Sequence, residues 1–323
     1  MKPTTKLIVC AFVALALTAC KDEDILLLKG KIITNENSVN SNTGAGARSA
    51  DVAYITTSLD IPHLKNGNVL VVHHAVINDK VSSKTEVNYA VEWDPVNTSQ
   101  RWSCYKLYKN ALAKNVERYT AENDGTMSPT CQYPNDQDIE DGLKLTVDPY
   151  KYSGYDHGHV CPSADRQGAY TANYQTFFMT NMLPQTSDFN GGVWGNMETQ
   201  IRTWAGACDT LYVVKGGTID KAENILEWVC GSSHQKTKVN AQHVPVPKYF
   251  FMAAMARKSN TFKAIGFWVN HEAKDKDLTK YVKTIDELES LTGIDFFCNM
   301  DDDIEAEVQK SYGNLKTDWN LSK

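Results

Sequence analysis

Residues 154–166 read GYDHGHVCPSADR. Two histidines, His157 and His159, flank one glycine, with Asp156 before them and Asp165-Arg166 after. Such a stretch can be a metal clip, a catalytic base in a tight turn, or a polar loop. A His-x-His zinc clip needs further ligands at a familiar spacing, and none follows. Gly158 would let a turn adopt backbone angles that other residues resist, and so aim His159. Asp165-Arg166 reads as a structural ion pair supporting that turn.

Downstream, Thr180–Ala205 reads TNMLPQTSDFNGGVWGNMETQIRTWA. Pro184 and Gly191-Gly192 mark turns, and from Gly192 onward the residues suit a helix with Asn190 at or near its start. Asn190, Trp194, Glu198 and Arg202 recur every four residues, so a helix would set them along one side. An amide and a carboxylate there suit a hard, oxygen-preferring cation such as Mg²⁺. A neutral histidine nearby could take a proton from water, and an arginine could grip a phosphate with two hydrogen bonds. These are the parts of metal-assisted phosphodiester hydrolysis. The plainer alternatives are a helical Glu198–Arg202 salt bridge and, for Trp194, a core position.

The rest of the chain bounds this reading. It has 323 residues, 42% hydrophobic and 22% charged, with a formal net charge of −6. No long basic run exists, which excludes a protein that coats nucleic acid by bulk charge. Lys2 and Lys6 precede an apolar stretch, Leu7–Leu17, too short to span a bilayer, so residues 1–19 read as a secretory signal. Leu17-Thr18-Ala19-Cys20 resembles a bacterial lipobox, which makes Cys20 the lipidation site and the lipid a membrane anchor. Lys21-Asp22-Glu23-Asp24 resembles the surface-export signal of Bacteroidetes lipoproteins. The expected address is the cell envelope, on the outer membrane, with its outer face open as an option. Residues 20–52, rich in Asn, Ser, Thr and Gly toward their end, read as a tether reaching on the order of 30 Å. Apart from Cys10 and Cys20, six cysteines in an oxidising envelope allow up to three disulfides, whose pairing the sequence does not choose.

From residue 53 to 323 the composition is that of one folded domain. Val69–Val72, Val87–Trp93, Arg101–Leu107, Leu211–Lys215, Tyr249–Met255 and Lys263–Val269 read as strands. Ile285–Thr292 has helical spacing, and a short helix is a candidate near Ala111–Tyr119. Strands adjoin helices without strict alternation, so the fold class is α+β.

The ordered motifs Asp156-His157-Gly158-His159, Pro162-Ser163-Ala164-Asp165-Arg166, Asn181-Met182-Leu183-Pro184-Gln185 and Asn190-Gly191-Gly192-Val193-Trp194 leading to Glu198 resemble the DNA/RNA non-specific endonucleases. These belong to the ββα-metal (His-Me finger) class. Later pieces agree: Val244-Pro245 before Lys248-Tyr249-Phe250, Gly266-Phe267 before Asn270, and Ile285–Glu289 before Leu291–Phe297. The resemblance covers roughly residues 53–300. It implies a central, mostly antiparallel sheet flanked by helices. It implies cleavage of DNA and RNA with Mg²⁺ (or Mn²⁺), leaving 5′-phosphate ends.

By the same resemblance, His159 is the general base, Asn190 a direct metal ligand, and Glu198 a carboxylate that binds the ion through water. Arg202 meets the phosphate, and Asn181 has a supporting catalytic role. The family usually has arginine where this chain has His157. A histidine there is shorter and carries no permanent charge, so as a substrate contact it implies weaker binding than arginine, strengthening at mildly acidic pH. A second family arginine is not placed by the motifs; Arg118 and Lys109 are candidates. His73-His74 read as strand residues, and Asp301–Asp303 as a solvated acidic surface. No protein partner is evident. Two alternatives remain: a surface nucleic-acid-binding lipoprotein with a decayed site, and a phosphodiesterase restricted to RNA or small diesters.

Overall fold

The computed structural model describes residues 54–122, 132–230 and 243–322. The signal segment, Cys20, the tether and Cys131 lie outside the described residues. Eleven strands follow in order: β1 Val69–Val76, β2 Thr85–Asp94, β3 Ser99–Leu107, β4 Asp156–His159, β5 Met182–Gln185, β6 Thr210–Gly217, β7 Ile225–Val229, β8 Val244–Pro247, β9 Tyr249–Lys258, β10 Thr261–Asn270 and β11 Val282–Lys283. Seven form one sheet in the order β1-β2-β3-β6-β9-β10-β11, and every neighbouring pair is antiparallel. β4 pairs with β5, and β7 with β8, as separate two-stranded sheets. The α+β expectation holds.

The central strands are buried on both faces, which is why β9 reads as an almost unbroken apolar run. Alternation divides it: Phe250, Met252 and Ala254 join one core cluster, while Phe251, Ala253 and Met255 join another. β6 divides the same way, Leu211 and Val213 to the first cluster, Tyr212 and Val214 to the second. The first cluster also takes Met197, Ile201 and Trp204 of the helix Gly195–Ala205, so that helix lies on this face of the sheet. Lys215, next in phase after Val213, is therefore carried beneath the helix and is wholly buried.

The helix Ile285–Thr292 has the bounds its spacing predicts. Thr284 and Glu287 form a reciprocal capping box at its start, and Gly293 ends it in the left-handed conformation at φ 67°. The acidic run at Asp301–Asp303 starts another helix, Asp302–Gln309, where the Asp301 side chain accepts from Asp303 N. The helix expected over Ala111–Tyr119 does not form. A 3-10 turn covers Lys109–Leu112, and the following backbone donors go elsewhere. Asn115 N and Val116 N donate to Gln167 O, and Tyr119 N donates to Asn173 Oδ1. A three-disulfide framework is not built either, since Cys104, Cys161, Cys208 and Cys230 carry free thiols. Among the described residues no helix is long and apolar enough to cross a membrane.

Gly158 lies in β4 rather than in a turn, opposite Leu183 of β5. It is needed for space: a Cβ there would stand 2.4 Å from the Gln185 side chain and 2.7 Å from Leu183 O. Gly158→Ala is expected to push β4 off β5 and cost about 1–3 kcal/mol, read as a lowered midpoint in urea unfolding. An unchanged midpoint would show that the two strands have slack.

Candidate active site

β4 carries Asp156, His157 and His159 to the wall of a cavity of about 580 Å³, lined also by Arg118, Tyr133, Asn190 and Glu198. Of the residues singled out in the sequence, His157, His159, Asn190 and Glu198 are thus brought together. Asn181 and Arg202 are not among the lining residues.

His159 ends β4 with its ring edge-on to Phe177, centroids 4.8 Å apart. Its Nε2 is buried and has no hydrogen-bond partner among the described residues. Burial pushes its pKa down to about 3; the Arg118 charge adds to this, while a hydrogen bond to the His157 backbone opposes it. The histidine is therefore neutral at neutral pH, and the backbone bond at its other nitrogen leaves the lone pair on Nε2.

Asn190 starts a five-residue π-type turn, Asn190–Trp194, kinked at Gly192 (φ −100°, ψ −113°) ahead of the helix Gly195–Ala205. The expected regular four-residue row therefore begins with a distortion, which the two glycines permit. Asn190 Nδ2 donates to Asp156 Oδ2 at 3.1 Å, and Ser187 Oγ donates to Asp156 Oδ1 at 2.8 Å. A carboxylate only accepts, so it fixes which end of the amide is nitrogen and leaves the Asn190 oxygen for another partner. The segment before it is held by His271. Thr186 N donates to His271 Nε2, so Nδ1 carries the proton and donates to Pro247 O at 2.9 Å. Trp194 is a core residue, and its Nε1 donates to His159 O, tying the turn to β4.

Glu198 is largely buried, and its Oε1 accepts from Lys215 Nζ at 3.0 Å. Burial raises its pKa above the usual carboxylate range, and Lys215 opposes that. Lys215 Nζ also lies 4.7 Å over the Trp194 ring. Sequence reasoning missed Lys215. The signal was there: a lysine at the inward phase of an apolar strand, LYVVKGG.

The plainer alternative of a helical Glu198–Arg202 salt bridge is not what forms: Arg202 NH1 donates to Asp165 Oδ1 at 2.9 Å and NH2 to Thr199 Oγ1, so the guanidinium that the resemblance sets at the phosphate is engaged by Asp165. Asp165 and Arg166 are not each other's side-chain partner: the buried Arg166 guanidinium donates to the carbonyls of Asn88, Asp165 and Lys106. Asn181 does not reach the cavity. Its Oδ1 accepts from Cys161 N and Ser103 Oγ, and its Nδ2 donates to Cys161 O and Thr176 O. All its capacity is spent clamping the chain just after His159.

His157 sits on the cavity wall, but its Nε2 lies 3.0 Å from both Asp148 carboxylate oxygens, and its ring stacks on Tyr133 at 3.7 Å. Asp148 would be raised by burial, yet His157 holds it below the usual carboxylate range. That nitrogen thus already has an anion. Arg118 supplies the cavity with a guanidinium, 4.7 Å over the Phe177 ring; Lys109 is not on the cavity wall.

His73, read from sequence as a plain strand residue, belongs to a second cluster. His73, Asp136 and Asp138 stand close enough to hold an ion. Asp136 is already well supplied, however. Oδ1 accepts from Asp138 N, while Oδ2 takes His73 Nε2 at 2.8 Å and the Thr180 hydroxyl. Burial would lower His73 and raise Asp136, but each reverses the other's shift: His73 stands above its ordinary value and Asp136 below. This buried pair anchors the segment that carries Tyr133.

Two short strands, a kinked turn and a helix bring a neutral histidine, an amide and a carboxylate together, and the comparisons place the chain among nucleases, a class of hydrolase. Residues 36–303 match the DNA/RNA non-specific endonuclease family, and the chain belongs to it. The match begins inside the stretch read from sequence as a tether. A Nostoc protein named nuclease is 29% identical over 70% of this chain and 77% of its own length. Mitochondrial nuclease EXOG of Xenopus laevis and of Homo sapiens are each 25% identical over 67% and 66% of this chain. The chain spans only 58% and 56% of those two proteins. The crystal structure of the EndoG/EndoGI complex matches with a TM-score of 0.57 at 18% identity, over 79% of this chain and 94% of that one. The fold is thus the ββα-metal nuclease fold. The family is divalent-metal dependent.

The buried histidine makes stability depend on pH. The unfolded chain takes up a proton at His159 near pH 6.5, the folded chain only near 3, so the fold loses stability as pH falls through that window. His159→Gln removes this contribution. Thermal midpoints from pH 6.5 downward are expected to fall more steeply in the wild type than in the variant; parallel slopes would mean that His159 is not shielded.

Proposed function

We propose that the chain is a metal-dependent endonuclease that hydrolyses phosphodiester bonds of DNA and RNA, with His159 as general base and Mg²⁺ (or Mn²⁺) as the ion. The observation that carries this reading is His159 Nε2, a neutral, buried nitrogen with no partner among the described residues, on the wall that also bears Asn190 and Glu198. That lone pair can take a proton from an attacking water. The donor set fits a hard cation: an amide oxygen oriented by Asp156 and a carboxylate steadied by Lys215. Such an ion, when bound, supplies Lewis-acid stabilisation of the charge that builds on the phosphate and the departing 3′ oxygen. Arg118 and Lys151 place positive charge on the same wall, where a phosphodiester would lie. Arg202 acts one step removed, through Asp165, by holding the Ser163–Asp165 turn at the cavity edge. Departure of the 3′ oxygen leaves the phosphate on the 5′ end.

The test is nicking of plasmid DNA, and cleavage of RNA, by the purified full chain with Mg²⁺ or Mn²⁺, with EDTA, and as His159→Ala. Metal-dependent cutting that falls about a hundredfold or more in the variant is expected. Cutting that survives the substitution contradicts the base. A folded wild type that binds either polymer but cuts neither supports the decayed-site alternative.

The amino-terminal residues support an envelope address, with residues 1–19 as signal, Cys20 lipidated, and residues 20–52 carrying the domain away from the membrane. An enzyme kept there is separated from the cell's own genome. Metabolic labelling with palmitate should mark the wild type and not Cys20→Ser; equal labelling of both, or of neither, refutes the anchor.

A further inference from the structure

The cavity has an aromatic lip that the hydrolysis itself does not use. Tyr152 lines the cavity yet is 80% exposed, an unusual placement for so large a ring. Its backbone sits in the left-handed region, φ 63°, which a bulky side chain normally avoids. Strain of this kind persists only where the surroundings over-determine it. Here they do. Tyr150 N and Lys151 N both donate to Asp148 Oδ1, and Ser153 returns both its backbone N and its hydroxyl to Tyr150 O. The neighbouring tyrosines are tied down by their hydroxyls, Tyr150 to Met182 O and Tyr155 to Glu227 Oε1. The turn thus stands fixed between β5 and β7 while the Tyr152 ring projects from it. Lys151, also on the cavity wall, holds its Nζ 5.4 Å over that ring.

We propose that Tyr152 is a stacking platform for an unpaired base next to the scissile phosphate, so that single-stranded nucleic acid is the favoured substrate. This rests on the nuclease reading and narrows it. A rigid, exposed ring beside a cation is the pairing that tracks a single strand: the ring takes the face of a base, and the lysine takes the phosphate beside it. Stacking of this kind accepts any base, which suits a site without sequence preference. In a duplex both faces of each base are covered by neighbouring pairs, so the ring finds nothing to stack on there. The occupant must be contiguous with the strand in the cavity, because Tyr152 and His159 share that cavity.

The experiment measures binding by fluorescence anisotropy with the full chain carrying His159→Ala to stop turnover. The probes are a labelled oligothymidylate, the same backbone with abasic residues, and a blunt duplex. Tyr152→Asn removes the ring while keeping a residue that tolerates the left-handed turn, and Tyr152→Phe keeps the ring. The expected result is about a tenfold loss on oligothymidylate for Tyr152→Asn, recovery in Tyr152→Phe, and no change on the abasic strand or the duplex. An unchanged affinity for oligothymidylate overturns the platform, and so does an equal loss on the abasic strand or on the duplex. Failure of the nuclease reading shows separately, as a wild type that binds oligothymidylate and never cuts it.

Discussion

The site depends on one buried amide. Asn181 has no exposure, and its side chain makes four hydrogen bonds, two of them to the backbone of Cys161. A buried amide left unsatisfied is costly, so this set of partners admits essentially one arrangement of the chain after His159. Val160 N adds a backbone bond to Asn181 O. The histidine is thus held by the strand that precedes it and by the clamp that follows it. With its direction set, the same strand sets the other half of the site. Asp156, three residues earlier, orients Asn190, and Trp194 bonds back to His159 O.

A second constraint comes from the large sheet. Strand alternation puts Lys215 under the site helix, where it can be neutral to the fold only if it meets an anion. Glu198 is that anion. Breaking a buried pair costs more than never having it, so Lys215 and Glu198 hold each other in place while Glu198 still borders the cavity. The helix therefore cannot rotate away from the sheet without stranding a charge. The structural core and the chemical site share this one contact.

Much of this was legible in the sequence. The apolar runs of β6, β9 and β10 mark strands because both sheet faces are covered, and Ile285–Thr292 marks a helix by its spacing. His159, Asn190 and Glu198 were legible through ordered motifs. The misses share a physical cause. Whether Asp165 pairs with Arg166 or with Arg202, and whether His157 is left open or paired with Asp148, are decided by segments far apart in the chain. Ala111–Tyr119 failed as a helix for the same reason, because tertiary partners took its backbone donors. Gly158 was noticed for the wrong property: it is a glycine for closeness to β5, not for its backbone angles.

Where the metal sits decides the mechanism, and two places among the described residues compete: the cavity of His159, Asn190 and Glu198, and the cluster of His73, Asp136 and Asp138. An anomalous difference map from crystals of the full chain soaked in Mn²⁺ separates them. The account predicts one strong peak within bonding distance of the Asn190 amide oxygen, on the His159 side of the cavity. A peak among His73, Asp136 and Asp138 with none beside Asn190 would contradict it.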